Sequence, residues 1–204
     1  MRLFKRGAPA AAGTQLRRAE AHPFGVLESY TPLGDGNIAC YRAIREAVPI
    51  VDAAVGKLIR LCGGFRAGCG NAAAEAELNR FLSTVNTGRG QRGLQSFLDC
   101  YLDSMLTCGR AIGEIVPDGT RDIAAVLCGD VPDVVVREGD TPLRFEICAA
   151  RGGPEPAPLP YQELLLFTPF APEAERPYGV SLLRSMPYRV EVLLTVYRSM
   201  RSNF

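Results

Sequence analysis

The alternation of apolar and polar positions divides the chain into helices, then short strands, then a final helix. Tyr41, Ile44, Val48, Val51, Val55, Leu58 and Cys62 recur at steps of three and four, which places them on one helical face. Asn37 offers a capping side chain at the start, and Gly63-Gly64 a stop. Pro49 interrupts this stretch. Lacking a backbone donor, it costs about 3 kcal/mol inside a continuous helix, which predicts a kink or a second helix that begins there. The segment "AEAELNRFLSTVN" predicts a shorter helix with Leu78, Phe81, Leu82 and Val85 inward. "TGRGQRG" reads as a loop. In "LQSFLDCYLDSMLTCG", Leu94, Phe97, Leu98, Tyr101, Met105 and Cys108 share a face, and Gly109 ends the helix.

The period then shortens. "RAIGEIVPDGT" predicts a strand followed by a turn at Pro117-Asp118-Gly119. "DIAAVLCG", "DVVVRE" and "LRFEICAA" follow, with Gly139-Asp140 as a hairpin turn between the last two. "RGGPEPAPLP" is a proline-rich loop, and "YQELLLFTPF" completes an antiparallel meander of about five short strands over 110–168. Helices over 38–108, these strands, and a helix over 181–202 make the fold class α+β rather than alternating βαβ. In the last helix Leu183, Met186, Val190, Leu193, Tyr197 and Met200 form a stripe, which Pro187 kinks or starts. The ending "RSMRSNF" has no clear cap, so the chain reads as part of a longer protein, truncated at its C-terminus.

Composition narrows the class. The 204 residues are 47% hydrophobic and 22% charged, with a net charge of +1, an ordinary globular balance without a strong overall pull toward polyanions. Residues 1–36 contain Pro9, Pro23, Pro32 and five glycines, and read as a flexible basic arm. Arg2, Lys5, Arg6, Arg17 and Arg18 lie in it and can contact nucleic-acid phosphate without reading sequence. There is no continuous apolar core for a secretory signal and no run of about 20 apolar residues for a membrane span. The seven cysteines form no C-x-x-C pair and read as reduced, mostly buried thiols.

Candidate chemistry is sparse. In "RPYGVSLLRSM", Ser181 follows Gly179-Val180, but leucine replaces the second glycine of a nucleophile elbow, and no histidine follows downstream. Ser181 is therefore read as a hydroxyl that caps the first turn of a helix. Asp99 and Asp103, four apart, share a helical face and could hold a metal only with a third ligand. The glycines of "CGGFRAGCG" lack the G-K-[ST] of a phosphate loop. His22, the single histidine, stands in the arm beside Pro23. Gly113, inside a strand, predicts a bulge or a close backbone approach, and Glu114 is a buried ion-pair member or faces outward. Arg89, Arg92 and Arg110 add scattered positive charge without interleaved aromatics. The residues alone read as a non-enzymatic α+β protein with amphipathic helices and a mobile arm, surfaces of a kind that commonly serves assembly, and they call for no cofactor and no metal.

From about residue 38 to 204 the order of elements resembles that of bacteriophage portal proteins. "YRAIREAVPIVDAAVGKLIRLCGG" is similar to that family's early helix, and "FLDCYLDSMLTCGRAIGEIVPDG" to its helix, glycine, strand and turn. "DIAAVLCGDVPDVVV" corresponds to the strands that follow, and "YQELLLFTPFAPEAERPYGVSLL" to a strand leading into a Gly-x-Ser-x-Leu helix start. The resemblance makes Gly109, Glu114, Gly179 and Ser181 structural signature positions. It implies the wing-region half of a ring-forming subunit of phage or prophage origin. Such a ring is usually dodecameric and sits at one capsid vertex, where DNA is packaged and ejected. It implies terminase, head and scaffold proteins as partners, double-stranded DNA passing non-specifically, and no membrane. It places the protein in the virion after assembly in the bacterial host cytoplasm. The alternatives are a small serine hydrolase using Ser181, a metal-dependent enzyme using Asp99 and Asp103, and a prophage remnant without assembly function.

Overall fold

The computed structural model describes residues 38–119, 122–139, 144–150, 156–174 and 176–202. The basic arm with its five cations, His22, and the expected cap Asn37 lie outside the described residues. Among the described residues the architecture is α+β: five helices, the last of them at the C-terminal end, and two sheets.

Pro49 starts a new helix. Helix α1 spans Ile38–Ala47 and α2 spans Pro49–Cys62, with the proline at the position where a missing N–H costs nothing. The apolar stripe faces inward for Tyr41, Ile44, Val51 and Val55, but Leu58 and Cys62 at its far end are exposed. Helix α3 runs Ala72–Thr84, longer at its start than the apolar pattern indicates. Asn71 caps it, its Oδ1 accepting from the Ala73 and Ala74 amides at 2.9 and 3.3 Å.

Helix α4, Leu94–Cys108, is the centre of the molecule. One side meets α1 and α2, in a core of Tyr41, Ile44, Val51, Val55, Leu106, Leu183 and Val190. The other lies on the sheet, where Phe97 packs with Val85 and Val126. The helix stops at Gly109, a left-handed residue (φ 80°) whose amide donates to the Met105 carbonyl at 3.0 Å.

The segment "TGRGQRG" is not a plain loop. Strands β1, Asn86–Gly88, and β2, Gln91–Arg92, form a small hairpin closed by Arg89 and Gly90. Both closing residues have positive φ (51° and 76°), as a two-residue turn matching strand twist requires. Strands this short show no alternation, and three glycines in seven residues read as a loop.

All five strands expected between 110 and 169 form, and they divide between two sheets. β3 (Arg110–Pro117), β4 (Ile123–Cys128) and β8 (Leu165–Pro169) join the hairpin in the order β2-β1-β4-β3-β8. β3 is antiparallel to both its neighbours, pairing Gly113 with Cys128 and with Leu166. β5 (Val134–Glu138), β6 (Phe145–Ala149) and the two-residue β7 (Ala157–Pro158) make the second sheet. The Gly139 amide donates to the Arg144 carbonyl at 2.7 Å at the end of the antiparallel β5–β6 pair, and Asp140 of the expected turn lies outside the described residues. Gln162 substitutes for a further strand on β6: its side chain accepts from the Ile147 amide at 2.9 Å and donates to the Ile147 carbonyl at 2.8 Å. Phe145 of β6 packs edge-on against Phe167 of β8 and against Tyr178, joining the two sheets.

The last helix, α5, spans Met186–Ser202 rather than starting at 181, because residues 181–185 form successive turns and Pro187 falls in the first helical turn. The cysteines are not mostly buried: Cys108 and Cys148 are, Cys40 and Cys128 are half-buried, and Cys62, Cys69 and Cys100 are exposed. Their helical positions fall at the ends of apolar stripes or off them, where periodicity alone does not decide burial.

Candidate functional site

The end of α4 is where Gly109, Gly179 and Ser181 converge. The last carbonyls of a helix lack partners within it. Here the segment 179–183 supplies them. Leu182 donates its amide to the Leu106 carbonyl at 3.0 Å, and Ser181 donates its hydroxyl to the Thr107 carbonyl at 2.6 Å. The Gly109 carbonyl accepts from the Phe170 amide at 2.8 Å, and the Phe170 carbonyl accepts from Val180 at 2.8 Å. Ser181 Oγ also accepts from the Leu183 amide at 3.0 Å, so it closes a turn as well as the helix end.

Two backbones must pass very close for this to work, and two glycines permit it. A Cβ on Gly179 would lie 1.9 Å from the Gly109 carbonyl oxygen, and one on Gly109 would lie 2.5 Å from the Ser181 nitrogen. Both glycines have positive φ, 80° and 98°. Gly109, Gly179 and Ser181 thus form one clamp. Glu114 is not part of it: it faces outward on β3, between Leu127 and Leu165 of the neighbouring strands. Gly113 makes the close approach expected of it without a bulge; a Cβ there would meet the Phe97 ring at 3.0 Å. The strand irregularity falls instead between Val116 and Pro117.

Ser181 is 6% exposed, and its proton is committed to the Thr107 carbonyl. Thr107, itself buried, connects the clamp to an ion-pair network through its own hydroxyl, which accepts from Arg45 at 2.8 Å. Arg45 also donates to Asp103 at 2.6 Å and to Asp52 at 2.6 and 2.9 Å. Burial works against its charge, but the bonds to Asp103 and Asp52 outweigh that and hold its proton more tightly than usual. Asp99 does not join Asp103: it accepts from Gln95 at 2.8 Å. Among the described residues no three His, Cys, Asp or Glu side chains gather as a metal set.

One turn earlier on α1, Arg42 forms an ion pair with Asp130 just after β4. That hydrogen bond holds the Asp130 carboxyl below the ordinary carboxylate range and raises the Arg42 guanidinium. Neither arginine stands out in the sequence, although both occupy the polar side of α1, three apart, where one face can meet α4 and β4 together. Burial pushes the Cys128 thiol up to about 11, and raises Cys108 and Tyr101 as well. Of the three scattered arginines, Arg89 tops the β1–β2 turn, Arg92 is exposed on β2, and Arg110 opens β3 with its Nε buried and unpaired.

Neither known protein-family models nor curated proteins give a match to this chain.

Proposed function

We propose that this chain is the wing-region half of a phage or prophage portal subunit, a non-enzymatic building block of the ring through which DNA is packaged and ejected. The resemblance in element order supports the family, and the clamp gives its signature glycines and serine a structural task. The observation that carries the assembly reading is the second half of α5. Every residue from Glu191 to Met200 is exposed, including Val192, Leu193, Leu194, Val196, Tyr197 and Met200. A run of large apolar side chains on one projecting helix is the mark of a surface built for a partner.

A ring closes through heterologous contacts, so each subunit needs two different complementary patches. Further large apolar side chains are exposed on α2 and just beyond it, at Ile50, Leu61 and Phe65, Ile50 by 75%. In this reading the terminase and head or scaffold proteins dock on the assembled ring. DNA passes without base-specific contact, and Ser181 has no catalytic task. No helix among the described residues is long and apolar enough to cross a membrane. The setting proposed is the virion, after assembly in a bacterial cytoplasm. Electron microscopy of the purified protein tests the assembly reading: annular particles with a central opening are expected, and a field of single subunits at micromolar concentration contradicts ring formation by this chain alone.

A further inference from the structure

A cavity of about 580 Å³ opens between α1, α4, β4 and the β1–β2 turn, a size typical of small-molecule sites. We infer that it binds a small phosphate-bearing solute, with Arg89 and Thr87 as the principal contacts. Three arginines line it: Arg42, Arg45 and Arg89. Two of them are already neutralised. Arg42 pairs with Asp130 and Arg45 with Asp103, and both acids line the same cavity. Arg89 has no ion pair among the described residues, so the cavity keeps one uncompensated guanidinium.

Two further observations select this corner. The Thr87 hydroxyl, on the same wall, is buried and has no hydrogen-bond partner, an arrangement that native structures leave mainly where something else completes the bond. Arg89 itself stands at φ 51° between Gly88 and Gly90, at a turn position normally given to glycine, asparagine or aspartate. A long β-branch-free cation can take that conformation only under strain, and strain of this kind collects at functional positions. Arg89 is exposed at the rim of the cavity, within electrostatic range of Asp130 on its wall. The Arg42 hydrogen bond is the main cause of the lowered Asp130 proton affinity, and the charge of Arg89 adds to it. A guanidinium fork beside a free hydroxyl is suited to a phosphate oxygen pair.

Calorimetric titration tests this, with inorganic phosphate in one arm and adenosine monophosphate in the other, at ionic strength held constant with sodium chloride. Saturable one-site binding is expected in both arms if the phosphate group alone is recognised, or in the nucleotide arm only if its carrier is also held. Arg89→Gly should weaken binding by about tenfold or more, the loss of one charge-assisted contact. The same variant should melt at a higher temperature, because glycine relieves the turn. Arg89→Gln should weaken binding without that gain. Thr87→Val should weaken it several-fold. Arg66→Gln, on an exposed residue away from the cavity, should leave binding unchanged. The inference is overturned if neither probe saturates, or if the folded Arg89 variants bind as the wild type does.

Discussion

The strictest demands in this protein are made on Gly109, Gly179 and Ser181. Adding a methyl group to Gly179 drives it to 1.9 Å from the Gly109 backbone carbonyl oxygen, with no flexible side chain able to yield. Gly179→Ala should therefore lose on the order of 3–5 kcal/mol of stability in urea unfolding, and Gly109→Ala a comparable amount. Ser181→Ala removes two hydrogen bonds and leaves the buried Thr107 carbonyl unpaired, a loss of about 1–3 kcal/mol. Its hydrolysis of simple esters should match the wild type; a loss in a folded variant would restore the serine-hydrolase reading. Cys128 gives a pH-dependent counterpart. Burial raises its folded proton affinity from 9.0 to about 11, so the thiol contributes stability that is complete below pH 9 and lost as pH rises toward 11. At pH 8, Cys62, Cys69 and Cys100 should be alkylated rapidly and Cys128 slowly, read by mass spectrometry of timed samples; equal rates would refute the burial that causes the shift.

At the level of elements, what the sequence discloses depends on whether local pattern or distant contact decides the outcome. The steps of three and four through Tyr41, Ile44, Val51 and Val55, and the start at Pro49, are local, and both helices follow. The strands at 110–117, 123–128, 134–138, 145–149 and 165–169 are equally legible, being apolar runs between turn residues. Their division into two sheets is not, because β8 returns to pair with β3 across some fifty residues, and no local signal marks that choice. The β1–β2 hairpin is hidden for the opposite reason: with three and two residues it is too short for any period to show. The clamp was half visible. The glycine and serine positions can be read as turn chemistry, while their meeting at the end of α4 rests on partners some seventy residues apart. The partners of Arg42 and Arg45 are long-range in the same way, at Asp130 and Asp103.

Over the whole molecule, α4 holds the helices on one side and the sheet on the other, and the clamp fixes the chain leading into α5. The stripe predicted from Leu183 to Met200, which enters α5 at Met186, is used twice. Leu183 and Val190 are buried in the core of this chain, whereas Leu193, Tyr197 and Met200 are exposed. A helix whose apolar side outlasts the core that receives it is the strongest physical argument for neighbouring subunits. Native mass spectrometry of the wild type and of a Val192→Glu, Val196→Glu double variant at about 10 μM tests the assembly claim most directly, since that concentration populates a stable interface of ordinary affinity. The wild type should appear as one large integer multiple of the chain mass, and the variant as a folded single chain with unchanged unfolding, because both positions are already exposed. A wild type that is monomeric, or a variant whose mass equals that of the assembled wild type, would contradict the account.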